Sequence, residues 1–146
     1  MKGMILMNIS AVSKKFDLSP DTLRYYEREG LIPPVHRNES GYRDYDNYDM
    51  NWIYFVKCMR KAGVSVESMI EYTNLFLKNR EGTAEARKDI LREQKAEIEE
   101  KIFDLQQTLD YLNYKIDNFD DHLKNFEDRL DPYIQRKLKK ENNDQK

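Results

Sequence analysis

The sequence predicts a mainly α protein, with a small helical domain in front and one long helix behind it. Three observations carry this. Apolar residues recur at steps of three and four from Ile98 to Phe126. Two short stretches with helix-capping residues stand close together before Gly30. Charged residues make up 36% and hydrophobic residues 39% of the 146, a balance that suits a helix-rich soluble chain.

The long helix organises the rest. Ile98, Ile102, Leu105, Leu109, Leu112, Ile116, Phe119, Leu123 and Phe126 form an unbroken heptad seam, with Ile102, Leu109, Ile116 and Leu123 at a and the other five at d. No Gly or Pro interrupts the chain between Thr83 and Asp131. A single helix of about 45 residues, roughly 65 to 70 Å long at ~1.5 Å per residue, is expected. Its other faces carry Lys, Glu, Asp, Gln and Asn, so only the seam needs cover. Each fully buried Leu, Ile or Phe stabilises by about 1.5–3 kcal/mol, and monomers avoid leaving such a stripe wet. No other segment of comparable length exists to cover it. The expected partner is therefore the same helix of a second copy, in an isologous homodimer. The seam itself does not say whether the two helices run parallel or antiparallel.

Composition narrows the function classes. Net charge is −2, but residues 1–80 hold 12 basic and 10 acidic groups, net +2, while residues 81–146 hold 13 and 17, net −4. The front is mildly basic and the rear acidic. A single cysteine excludes an intrachain disulfide, and with His36 and His122 far apart no metal site and no cofactor is expected. There is no apolar run of about 18 residues and no secretory leader, so a cytoplasmic protein with no membrane partner is expected. No Ser/His/Asp order and no Gly-rich phosphate loop appear, so no enzyme is expected.

From the start, Met4 to Ile9 reads as a short edge strand or lead-in. Ser10 is a candidate cap for a first helix that ends at Asp17, with Val12 and Phe16 inward and Lys14 outward. Ser19-Pro20 then starts a second helix strongly, Ser at N-cap, Pro at N1 and Asp21 in the first turn, and Gly30 stops it. Two short helices joined by about three residues make a helix-turn-helix. The second presents Thr22, Arg24, Tyr25 and Arg28 on its polar side, which suits phosphates and base edges, though a plain helical hairpin with a charged surface fits as well. Leu23 and Tyr26 face inward.

Asn38 to Gly41 is a turn cluster between residues that can pair as a β-ribbon. Arg37, Tyr42, Arg43 and Tyr45 put basic and aromatic groups on this small hairpin, as a wing that grips a nucleic-acid backbone would. A third helix is expected from about Asp46–Asp49 to Ala62, and a fourth, capped by Ser65, from about Val66 to Leu77. Residues 78–82 form a polar linker, Thr83 caps the long helix over 83–128, and residues 129–146 hold a short helix from about Leu130 to Leu138 and a disordered tail from Glu141.

At this point the residues carry a resemblance. The run Leu23-Arg24-Tyr25-Tyr26-Glu27-Arg28-Glu29-Gly30-Leu31-Ile32, then Arg37-Asn38 and Gly41-Tyr42-Arg43-Asp44-Tyr45, resembles the MerR family of transcription regulators over about residues 7–77 and on into the long helix. The resemblance implies a winged helix-turn-helix DNA-binding domain followed by a dimerisation helix that forms an antiparallel coiled coil. It also implies a homodimer on double-stranded promoter DNA that bends and untwists the site for RNA polymerase, so that control acts through DNA deformation. Arg24 and Tyr25 match the family's recognition-helix contacts and Arg43 its wing phosphate contact. Tyr42, Arg37 and Lys14 follow less closely, and Tyr26 matches a position that is core as much as contact.

Metal-sensing members carry cysteines near the far end of the dimer helix, where this chain has none, and multidrug-binding members carry a large extra C-terminal domain. Cys58 remains, beside Lys57, Arg60 and Lys61, and positive neighbours favour the reactive thiolate. The other reading is a small buried hydrophobe, which free cysteines usually are. Arg37-Asn38-Glu39-Ser40-Gly41 and Tyr114-Lys115-Ile116-Asp117 resemble the subgroup that responds to reactive aldehydes and nitrosative stress, which implies that Cys58 is a sensor thiol. The alternative is non-covalent sensing in a pocket between the DNA-binding domain and the partner's dimer helix, lined by Tyr72, Phe76, Phe103, Tyr111 and Tyr114, though core packing explains these aromatics equally well.

Overall fold

The computed structural model describes residues 5–120 and 132–144. Six α-helices are present among them: α1 (Ile9–Phe16), α2 (Pro20–Arg28), α3 (Asn47–Lys61), α4 (Val66–Lys78), α5 (Ala84–Asp117) and α6 (Pro132–Asp144). The chain forms two compact units, Met1–Ile98 and Glu99–Lys146. The fold class is the expected one, mainly α with a helix-turn-helix in front and a long helix behind.

Helix ends follow local chemistry, with two changes from expectation. The cap of α1 is Asn8, not Ser10: its side chain accepts from the Ala11 amide at 2.8 Å. Asn is as good a cap as Ser, and starting earlier lets Ile9 pack on the core. The α2 start is as expected, with Ser19 accepting from the Thr22 amide at 3.0 Å and Pro20 at the first position. Gly30 then takes φ +82°, a left-handed conformation that a side chain would strain. A reciprocal capping box of Asp46 and Asp49 opens α3, and Ser65 caps α4. The second change is Thr83. Its hydroxyl donates backward to the carbonyls of Leu75 at 3.0 Å and Asn79 at 2.7 Å, so it ties the start of α5 to the end of α4 instead of capping α5.

The front unit buries its own core. Val12 and Phe16 of α1, Leu23 and Tyr26 of α2, Ile53 and Val56 of α3 and Met69 of α4 meet Leu31, Ile32 and Val35 from the segment after α2. Thr73 is fully buried on α4, where its hydroxyl donates to the Leu31 carbonyl at 2.7 Å and fixes that segment. Trp52 sits among Tyr48, Phe55, Tyr72 and Phe76 with ring centroids 5.0–6.4 Å apart. Arg87, in the first turn of α5, lies over the Tyr72 and Phe76 rings at 5.8 and 5.4 Å. These contacts anchor the base of α5 within the front unit.

The expected β-ribbon is reduced to two isolated bridges among the described residues, Arg37 with Arg43 and Met7 with Tyr45. The Asn38 side chain fills the turn between the wing arms, accepting from the Ser40 and Tyr42 amides at 3.0 and 3.1 Å. Gly41 takes φ +84° there.

The long helix is described as far as residue 120, and its expected continuation to 128 lies outside the described residues. Regular α-helix runs 34 residues to Asp117, about 50 Å at ~1.5 Å per residue. Asn118 follows in a turn, its side-chain amide donating to the Tyr114 carbonyl at 2.9 Å. Asp and Asn side chains compete for backbone groups and are weak helix formers, and Asp117, Asn118 and Asp120 fall together here. The seam positions Leu123 and Phe126 lie outside the described residues. Pro132 opens α6 as expected, but the helix continues to Asp144 where a disordered tail was expected from Glu141.

Candidate nucleic-acid interface

Asn8, Ile9 and Ser10 at the start of α1, Arg24 on α2, and Arg37, Asn38, Gly41, Tyr42 and Arg43 on the wing line one groove of about 390 Å³. Three guanidiniums and the N-terminal end of a helix therefore face a common space. Helix N-termini and arginines both suit the holding of a phosphate oxygen. The groove carries no carboxylate among these lining residues.

The predicted contact residues separate by environment. Arg24 is exposed and held by Asp21 at 2.9 Å across one helical turn. Tyr25 is half-buried next to it, with the Arg28 guanidinium 5.7 Å from its ring. Tyr42 is 73% exposed at the wing tip. Arg37 braces the wing turn by donating to the Gly41 carbonyl at 2.9 Å, and Lys14 is exposed on the outer face of α1. Thr22 shares a hydrogen bond with the Ser19 hydroxyl at 2.8 Å, so its side chain belongs to the helix start.

Two wing residues differ from expectation. Tyr45 was expected among the DNA contacts, but it is fully buried, and its hydroxyl has no hydrogen-bond partner among the described residues. It is a core residue because the Met7–Tyr45 bridge draws its backbone inward under the wing. Burial raises the Tyr45 phenol above its ordinary pKa, only partly offset by Arg43. Arg43 is mostly buried along its side chain, and its Nε is bound to Glu27 at 2.5 Å. It reaches the groove as a restrained group, not as a loose phosphate ligand. Glu27 and the α1 start were missed from sequence, because their partners lie far along the chain and no local spacing marks them.

Below the wing, Asp49 is buried at the start of α3. Burial, followed by its contact with Asp46 and the nearby Glu27 carboxylate, pushes its carboxyl up to about 6, against the backbone amide of Asp46, which lowers it.

Cys58 is half-buried in a cleft of about 420 Å³ lined by Lys15, Phe16, Tyr54, Lys57 and Lys61. Lys57 donates its ammonium to the Phe16 carbonyl at the end of α1, and Arg60 donates to the Val64 carbonyl at 2.5 Å. Two of the three expected positive neighbours are thus committed to backbone carbonyls. A hydrogen bond with Cys58 pushes the exposed Tyr54 phenol up.

Tyr72 lines a smaller cleft of about 190 Å³ with Tyr48, Asn51, Trp52 and Phe55. Phe103, Tyr111 and Tyr114, expected to line a site between the DNA-binding domain and the partner's helix, are exposed on α5. On the same helix Ile102, Leu105, Leu109, Leu112, Ile116 and Phe119 of the seam are all between 48% and 70% exposed, and Ile98 is half-buried. Among the described residues no helix is long and apolar enough to cross a membrane, and no His, Cys, Asp and Glu cluster could hold a metal ion.

Comparison with known proteins agrees with this geometry. The description "MerR HTH family regulatory protein" matches residues 7–74, and "MerR, DNA binding" matches residues 51–114. The HTH-type transcriptional regulator AdhR of Bacillus subtilis is 56% identical over 92 residues, which are 63% of this chain and 65% of that protein, so the match spans just under two thirds of AdhR. The crystal structure of a MerR family transcriptional regulator from Listeria monocytogenes is 44% identical, with a TM-score of 0.76 over 96% of this chain and 99% of that one. HiNmlR, a MerR family regulator lacking the sensor domain and solved bound to promoter DNA, is 27% identical with a TM-score of 0.73 over 79% of this chain and 90% of its own.

Proposed function

The chain belongs to the MerR family of DNA-binding transcriptional regulators, and from that premise we propose that it binds promoter DNA as a homodimer and regulates transcription by bending and untwisting the site. The groove between the α1 start, α2 and the wing carries the reading, since it gathers Arg24, Arg37 and Arg43 around one space. α2 enters the major groove, where Arg24 and Tyr25 reach base edges and phosphates, while Tyr42 and Arg37 grip the backbone from the wing. The exposed seam from Ile102 to Phe119 pairs with that of a second copy, in the antiparallel sense the family uses, and sets the two reading helices on half-sites of a pseudo-palindrome. Deformation of the spacer then presents the promoter elements to RNA polymerase.

Replacing Arg24 by Ala tests the interface. Its ion pair with Asp21 is exposed and contributes little to folding. Affinity for a fragment carrying the promoter nearest its gene should fall about ten- to hundredfold, as for loss of a base-reading arginine. Unchanged affinity in a mobility-shift titration sinks the assignment.

The effector is proposed to be an electrophile such as a reactive aldehyde, acting on the Cys58 thiol. Cys58 shares its cleft with the cations of Lys15, Lys57 and Lys61, and Lys57 holds the last carbonyl of α1. Modification of the thiol would crowd that cleft and shift α1 against α3, next to the DNA-reading elements. In vitro transcription with and without an aldehyde should show stimulation for the wild type and none for Cys58→Ser. Equal responses would move the search to the aromatic cleft around Trp52.

A further inference from the structure

Glu27 lies in the last turn of α2 and is not among the DNA contacts proposed above. Its side chain is 14% exposed, and both carboxylate oxygens are occupied. Oε1 accepts from Arg43 Nε at 2.5 Å, and Oε2 accepts from the Val35 amide at 2.9 Å. Val35 leads into the wing and Arg43 stands on its returning arm. One side chain of the helix-turn-helix therefore holds both arms of the wing.

The base of the wing is rooted in the front unit by the Met7–Tyr45 bridge and by buried Val35 and Tyr45, and Glu27 adds the tie to α2 itself. The wing arms share the single Arg37–Arg43 bridge, with the Asn38 amide donating to the Tyr42 carbonyl and the Asp44 amide to the His36 carbonyl, both at 2.8 Å. These bonds set the hairpin's own shape and not its tilt. Arg43 also lines the groove that holds Arg24 and Arg37. A guanidinium is planar, so gripping Nε from behind fixes the direction of its opposite edge.

We propose that Glu27 is a positioning residue for DNA binding, clamping the wing to the recognition helix and aiming the outer edge of Arg43 at a backbone phosphate. The proposal rests on the promoter-binding reading above. Ordering Arg43 before DNA arrives removes an entropic cost that binding would otherwise carry. The sign of the effect is diagnostic. Acting only as a negative charge near phosphates, Glu27 would weaken binding, and its neutralisation would tighten it. As a clamp, Glu27 strengthens binding. Glutamine has a single carbonyl oxygen, and its amide nitrogen cannot accept from Val35 or Arg43. Glu27→Gln therefore breaks one of the two grips.

The test compares wild type, Glu27→Gln, Arg43→Ala, the double variant and Arg24→Ala on the same promoter fragment, by affinity and hydroxyl-radical footprint, with melting curves as the folding control. Glu27→Gln should bind about tenfold more weakly, the scale of one hydrogen bond to a charged group. Protection should be lost at the wing-side phosphates while the major-groove contacts of α2 persist. The double variant should be no weaker than Arg43→Ala, since both changes remove one linkage. Equal or tighter binding by Glu27→Gln, a uniformly weakened footprint, or additive losses in the double variant overturn the clamp. If Arg24→Ala also binds like wild type, the promoter-binding reading itself fails; if only Arg24→Ala weakens, the clamp alone fails. Should Glu27→Gln not fold, Arg43→Lys replaces it: lysine keeps the charge but cannot join Glu27 and a phosphate through one rigid plane. The same loss of wing-side protection is expected, and full protection overturns the proposal.

Discussion

The front and rear of this chain are made from the same kinds of residue and treat them in opposite ways. In the front unit Val12, Leu23, Leu31, Ile53 and Val56 are wholly buried. On α5 beyond Ile98, Ile102, Leu105 and Ile116 are 61%, 69% and 70% exposed. Apolar content does not separate the two regions; periodicity and length do. Helices of 8 to 15 residues in the front meet neighbours that the chain itself brings back over them. α5 carries its apolar residues on a narrow stripe, along a helix longer than any other segment of the chain. A short helix finds its cover at home, whereas a long single-stripe helix leaves its stripe exposed, which is what the proposed homodimer would cover.

The strongest way to break this contrast is to spoil the seam and leave the front alone. Ile102→Asp with Leu109→Asp should convert a dimer to a monomer in sedimentation. Promoter affinity should drop by at least about a hundredfold, since a lone domain loses the avidity of paired half-sites. Trp52 fluorescence, which reports the front core, should not change. An unaltered mass would mean that the stripe is not the dimer contact.

The front core has a pH signature of its own. Because burial raises the Asp49 carboxyl from 3.8 to about 6, the folded state keeps this proton longer than the unfolded state. The group's contribution is therefore most favourable below about pH 4, declines as pH rises toward about 6, and is level above that. Asp49→Asn can still accept from the Asp46 amide, and it should remove the decline. A gain on the order of 1–3 kcal/mol near neutral pH is expected, shrinking toward pH 4. Urea melts at several pH values check this, and parallel curves for the two proteins would refute it.

The smallest expected effect sharpens the border between core and interface inside the wing. Tyr45→Phe removes a buried hydroxyl that has no partner among the described residues. Stability should stay within about 1 kcal/mol of wild type or rise slightly. Promoter affinity should be unchanged, and a clear loss would mean that the hydroxyl reaches DNA after all.

Local signals made much of the front legible. Ser19-Pro20 and Gly30 bracket α2 within a residue of the expected ends, because caps, ring-fixed φ and positive φ are properties of a few adjacent residues. The start of α1 was less legible, since Asn8 and Ser10 are both good caps and only the packing of Ile9 chooses between them. In the wing, Tyr42 and Tyr45 look alike in sequence, yet one is 73% exposed and the other fully buried. The difference comes from the bridge to Met7, a residue far from either in the chain.

The sequence alone determined the helical class, the helix-turn-helix, the seam and the family, because each is written in spacings of a few residues or in one continuous motif. Tertiary structure alone decided that Arg43 is gripped from behind by Glu27, that Lys57 is committed to the Phe16 carbonyl, and that Asp49 lies out of water. Those outcomes depend on burial and on partners such as Phe16 with Lys57, 41 positions apart, or Glu27 with Arg43, 16 apart. No local pattern encodes such pairs. They exist only once the core of the front unit has closed.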